Sequence, residues 1–140
     1  MVKPLKTLIR LSKNEVDAKR KELVALEKIK QGFVESHDAL RERLAEEARI
    51  CAELPEASGS YGSFAKVTLE KLEKISAEIA RLEAKIEKMR QEMHILFAEQ
   101  KKYEIALDNK QTAIKQESDK KDTQNLDEIA TIGYVRGKKA

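Results

Sequence analysis

Stepping from Leu5 alternately by four and three residues lands on Leu5, Ile9, Ser12, Val16, Lys19, Leu23, Leu26, Lys30, Phe33, His37, Leu40, Leu44, Glu47, Cys51 and Leu54. Ten of these fifteen are apolar, which is the 3.5-residue period of a coiled-coil seam rather than the pattern of a strand. Lys3-Pro4 suits the start of this helix, because proline is tolerated where no intrahelical N–H bond is made. Leu54-Pro55 suits its end, because the residue before proline is pushed out of helical geometry. The first helix is therefore expected over about 4–54.

The stretch PEASGS at 55–60 is the one concentrated breaker in the interior, and Ser58, Ser60 or Ser63 are candidates to cap a second helix. A cleaner seam follows: Leu72, Ile75, Ile79, Leu82, Ile86, Met89, Met93 and Leu96 are consecutive apolar hits. The register continues through Gln100, Tyr103, Leu107, Lys110 and Ile114 before failing at Glu117, Lys121 and Gln124. The second helix is expected over about 61–132. Two long helices joined by so short a turn lie antiparallel. With the turn near residues 57 and 58, position i faces roughly position 115 − i, and at about 1.5 Å per residue the paired part is roughly 70 Å long. The expectation is an all-α, long antiparallel two-helix coiled-coil hairpin, a single elongated domain over 1–140 with an overhanging C-terminal helical extension.

That overhang poses a question. After the polar stretch KQESDKKDTQ the chain turns apolar again at Leu126, Ile129, Ala130 and Ile132, the first three at the i, i+3, i+4 spacing of one helix face. Pairing leaves this face no cover within the chain, and the linker has no proline or glycine to fold it back. It is read as a surface for another protein, the alternative being a frayed helical tail with incidental apolar residues, and Gly133 either allows close approach or ends the helix.

Composition agrees with a chain of this kind. Aromatic residues make up 4%, charged residues 38%, and tryptophan is absent, so a compact core is not expected. Lysine and arginine number 28 against 25 acidic residues, interleaved at helical spacing, which argues against a nucleic-acid binder with its unopposed basic face. The charge is unevenly placed: residues 1–30 hold nine basic and four acidic groups, residues 31–60 three and seven. A lone cysteine, Cys51, suits a reducing compartment. No apolar run nears the roughly 18 residues of a membrane span. In MVKPLKTLIRLSK, Arg10 and Lys13 interrupt what would otherwise resemble a signal peptide. A cytoplasmic protein is expected.

The residue types that carry chemistry are scarce. His37 lies on the seam and His94 beside the other, with facing positions near Glu78 and Lys21, so the two do not share a metal. Cys51 sits among Glu46, Glu47 and Glu53, which disfavour the thiolate a nucleophile needs. Glu15 with Lys19, Asp17 with Lys21 and Glu70 with Lys74 read as solvated i, i+4 pairs, each contributing about 0.2–0.5 kcal/mol. No phosphate loop, nucleophile elbow or metalloprotease motif occurs, and no catalytic residue, cofactor or metal is expected. Gly32, costly inside a helix, marks a flexible joint or a close approach. Tyr61 and Phe64 open the second helix at the tip, either as a plug for the turn or as a docking patch.

The start MVKPLKTLIRLSKNEVDAKRKEL, the small-residue turn, Tyr61-x-x-Phe64 opening the second helix, and Leu126-Asp127-Glu128-Ile129-Ala130 near the end together resemble the FliJ family of bacterial flagellar export proteins. The resemblance implies an antiparallel coiled coil similar to the central stalk of rotary ATPases, acting in flagellum biogenesis and motility through type III export. It implies three partners: the hexameric export ATPase, the cytoplasmic domain of the export gate, and export chaperones that it delivers or recycles. It further implies a cytoplasmic protein peripherally associated with the inner membrane at the export apparatus. Tyr61 and Phe64 are then the expected gate-facing residues, and Leu126, Asp127, Glu128, Ile129 and Ala130 the ATPase-facing ones. The stalk of a virulence type III secretion system and a general coiled-coil scaffold or holding chaperone are the alternatives.

Overall fold

The computed structural model describes residues 2–138, except for the side chains of Ala57, Ser58 and Lys138. The chain is an all-α hairpin of two long helices, α1 (Lys3–Glu53) and α2 (Tyr61–Lys138), joined by a 3₁₀ turn over Pro55–Gly59. Helix α1 opens with Lys6 N–H donating to Val2 O at 3.1 Å, so Pro4 falls inside the first turn, where its missing N–H costs nothing. The last bond runs from Leu54 N to Ile50 O at 2.8 Å, one residue ahead of Pro55. Of the three candidate serines, Ser60 takes the N-cap position of α2, its carbonyl accepting from Phe64 N at 3.1 Å.

The paired helices resolve into two compact units. One combines Glu15–Ile95, the turn included; the other combines the chain up to Asn14 with the chain from Leu96 onward. In the Glu15–Ile95 unit the buried apolar residues are Val16, Leu23, Leu72, Leu82 and Ile86, all on the two seams. Thr68 is buried with them at 3% exposure, although a threonine does not advertise itself as a seam residue. Its hydrocarbon flank fills a position one step before Leu72, so the seam of α2 begins earlier than its apolar run.

Ion pairs between the helices of this unit fix the direction and approximate register. Lys19 Nζ lies 3.2 Å from Glu92, Arg90 2.8 Å from Glu27, and Lys30 Nζ 3.3 Å from Glu83. The 115 − i relation puts those partners at 96, 88 and 85, each within four residues of the one observed. Lys19 reaches across the seam and toward Glu22 instead of binding Glu15, and Asp17 takes Arg20 instead of Lys21. Long side chains at seam positions cover apolar neighbours with their stems and deliver the charge to the rim. Such exposed pairs set alignment more than stability.

In the other unit Ile9 is the buried apolar residue, and Leu5, Tyr103 and Leu107 are half-buried. Two polar side chains, Ser12 and Gln100, are each 7% exposed in the same seam. Gln100 Nε2 donates to Glu104 Oε1 at 3.0 Å, and Lys101 Nζ donates to Glu104 Oε2 at 3.2 Å. A buried polar group in a coiled coil fixes register at a cost in stability, provided its hydrogen bonds are made. The Gln100 bond, followed by that of Lys101, holds the Glu104 carboxyl below the ordinary glutamate range. The folded pKa is lowered, so the stabilisation from this carboxylate is present above its unfolded pKa and is lost as pH falls through the folded value.

Gly32 meets open space: a Cβ built there would have nothing within 4 Å, and α1 passes through it unbroken. No close approach within the chain accounts for it.

Leu82→Ala and Ile86→Ala are expected to cost about 2–5 kcal/mol each, as buried large-to-small changes do, whereas Ile95→Ala, 61% exposed in the wild type, should stay within about 0.5 kcal/mol. Thermal melts followed by circular dichroism separate these outcomes. In a carboxyl-carbon NMR titration, Glu104 should titrate below the usual glutamate midpoint and move up in Gln100→Ala; an unmoved midpoint contradicts the hydrogen-bond assignment.

Candidate interaction surfaces

The two aromatic residues that open α2 end up in different surroundings. Phe64 is half-buried under the Arg43 guanidinium, whose carbon lies 5.3 Å from the ring centroid. Such a cation–π contact ties the ring to α1 and shields one face from any partner. Tyr61, also half-buried, lines a shallow groove with Leu44, Ala45, Ala48, Leu69 and Leu72, with His37 and Arg41 at its margin. The groove exists because Ala45 and Ala48 are too short to fill the space between the helices. Leu69 stands at its edge, 55% exposed. Ala45 and Ala48 lie beside the heptad positions Leu44 and Glu47 and not on them, so the seam pattern does not reveal the groove; two alanines three residues apart are the available signal.

At the other end of α2 every described residue from Asp108 to Gly137 is exposed. The apolar seam is covered as far as Leu107 and no further, and Ile114, which continues the register, is 54% exposed. Leu126 and Ile129 are 67% and 66% exposed, with Asp127, Glu128 and Ala130 exposed between and beside them. The helix does not stop at Gly133: it runs to Lys138 with no glycine at positive φ, and a Cβ at Gly133 would meet nothing within 4 Å. Thr123 and Thr131 turn their hydroxyls back to the carbonyls of Asp119 and Asp127, at 3.0 and 2.8 Å, which keeps these polar groups satisfied on the helix itself. Ile132, Tyr134 and Val135 add further exposed apolar surface, the last two of which the sequence pattern had not singled out.

The remaining candidates bring nothing together. His37 is half-buried, with Nδ1 3.9 Å from Asp38, while His94 is exposed on the other helix. Cys51 is half-buried on the seam of α1. Among the described residues no group of histidine, cysteine, aspartate and glutamate is placed to hold a metal ion, and no helix is long and apolar enough to cross a membrane.

Two long helices packed along paired heptad seams define a protein of the coiled-coil class. The sequence profile of the flagellar FliJ protein matches residues 1–139, and the chain belongs to this family. It is thereby a component of the flagellar protein export apparatus, in a family that is itself non-catalytic. No curated protein and no solved structure matches the chain at a significant level.

Deleting everything after Ser118 removes only exposed side chains among the described residues. The truncated chain should therefore melt within a few degrees of the full one, since exposed residues contribute little to stability. A collapse of its melting transition would mean that the tail packs on its own hairpin.

Proposed function

We propose that this protein links the flagellar export ATPase ring to the cytoplasmic domain of the export gate and escorts export chaperones between them, without catalysing any reaction itself. The observation that carries the reading is the uncovered apolar surface at the far end of α2. An amphipathic helix whose face is two-thirds exposed at Leu126 and Ile129 costs free energy in water and gains it in a partner's groove. By resemblance to a rotary stalk, whose terminal helices enter the ring, that partner is the ATPase, contacted by Leu126, Asp127, Glu128, Ile129 and Ala130.

The gate is assigned to the opposite end of α2, at Tyr61 and Phe64. Tyr61 and the groove beside it form the better receptor, because Arg43 already occupies one face of Phe64. Such a groove takes an apolar side chain from a partner and surrounds it with a polar margin at Arg41 and His37. Working between these partners, the protein would reside in the cytoplasm and reach the inner membrane peripherally, through the apparatus.

Leu126→Asp with Ile129→Asp should abolish ATPase binding and stimulation while gate binding survives. Tyr61→Ala with Phe64→Ala should do the converse, reducing gate affinity by at least tenfold. Titration calorimetry of both variants against both purified partners reads the crossover. A terminal variant that still binds and stimulates the ATPase normally removes the assignment.

A further inference from the structure

The first turns of α1 hold a feature that neither the seam nor the proposed partners use. Up to Asn14 the chain carries Lys3, Lys6, Arg10 and Lys13 and no acidic residue; the first is Glu15. All four cations are exposed, and Lys3, Lys6 and Arg10 form no ion pair among the described residues, whereas Lys19 and Lys30 further along α1 reach carboxylates on α2. Leu8 and Leu11, one turn apart, are 40% and 49% exposed, while Leu5, Ile9 and Ser12 face the seam and are covered. With 100° between successive residues, Leu8 and Leu11 form one flank of the helix, Lys3 and Arg10 lie next to them across its outer side, and Lys6 and Lys13 complete the other flank.

We infer that the outer side of α1 binds directly to an anionic lipid surface, with Leu8 and Leu11 entering the headgroup boundary along one edge, Lys3 and Arg10 beside them meeting lipid phosphates, and Lys6 and Lys13 adding to the electrostatic attraction from the far edge. Cations beside a small apolar wedge, with Lys3, Lys6 and Arg10 in no ion pair among the described residues and Lys13 near Glu104, are the pattern of an interfacial helix, in which hydrophobic insertion and electrostatic attraction each contribute. Two leucines give far less than the roughly 800 Å² per partner of a stable protein interface, but they suffice as a wedge when four cations act alongside. The seam stays closed in this arrangement, since neither leucine belongs to it. The contact is separate from the ATPase and gate surfaces and would hold even if those assignments failed.

The full-length protein is to be sedimented with vesicles of phosphatidylcholine alone and of phosphatidylcholine mixed with phosphatidylglycerol. Binding is expected to the mixed vesicles only, and to be lost when salt is raised from about 0.1 M to about 1 M, where the screening length falls from about 10 Å to about 3 Å. Leu8→Asn with Leu11→Asn, and separately Lys3→Gln with Lys6→Gln and Arg10→Gln, should each weaken it at least tenfold while the circular dichroism melt stays that of the wild type. No sedimentation with the anionic vesicles overturns the inference, as does equal binding to both compositions. Variants that are folded and bind like the wild type overturn it too. Cation-depleted protein that loses capture by the purified export ATPase, in a chain that never binds vesicles, gives the face to an acidic protein surface instead.

Discussion

A helix with apolar residues every three and four positions cannot stay in water alone; it must find a second helix with the same repeat, and in this chain the second helix is its own. That requirement explains most of the hairpin. Val16, Leu23, Leu72, Leu82 and Ile86 are nearly removed from solvent, although no side chain among the described residues is completely enclosed, because two helices have a seam between them and no interior. Side chains at the rim then carry the alignment: Lys19, Glu27 and Lys30 meet Glu92, Arg90 and Glu83. Where the apolar supply thins, at Ser12 and Gln100, small or polar side chains occupy the seam, and Gln100 draws Glu104 into a hydrogen bond.

The same requirement divides α2 by function. Up to Leu107 its seam is satisfied within the chain, and beyond that nothing covers it, although the helix continues for some thirty residues more. Apolar residues that stay exposed at Leu126, Ile129, Ile132 and Tyr134 are costly unless a partner uses them. The partner proposed for this face belongs to the export apparatus, the machinery in which the FliJ family acts. In the hairpin itself, the small residues Ala45 and Ala48 leave the groove at Tyr61 open, so the two proposed binding surfaces arise from too little volume there and from too little coverage at the tail.

Much of this could be read from residue spacing alone. On α1 even the polar members of the heptad, Ser12, Lys19, Lys30, His37 and Glu47, come out buried or half-buried, because position on the helix decides coverage whatever the side chain. Leu54 fails because α1 ends one residue before it, leaving it 57% exposed. Thr68 is not legible in the pattern because its polarity hides a buried side chain, and the groove is not because Ala45 and Ala48 lie off the heptad positions. Arg43 over Phe64 depends on the meeting of residues from different helices, which periodicity along one chain does not encode. The α2 register runs on to Ile114 although coverage ends at Leu107, since a residue can keep the register after its partner helix has run out.

Native-state hydrogen exchange read along α2 addresses the division between covered and uncovered helix most directly. Backbone amides in the stretch from Thr68 to Leu107 should exchange slowly, as buried helices do, and those beyond Lys110 should exchange orders of magnitude faster, because a lone helix opens readily in water. Adding the export ATPase should slow exchange around Leu126 and Ile129. Uniform protection along α2 in the isolated protein would contradict the account, since it would mean that the tail already has its cover.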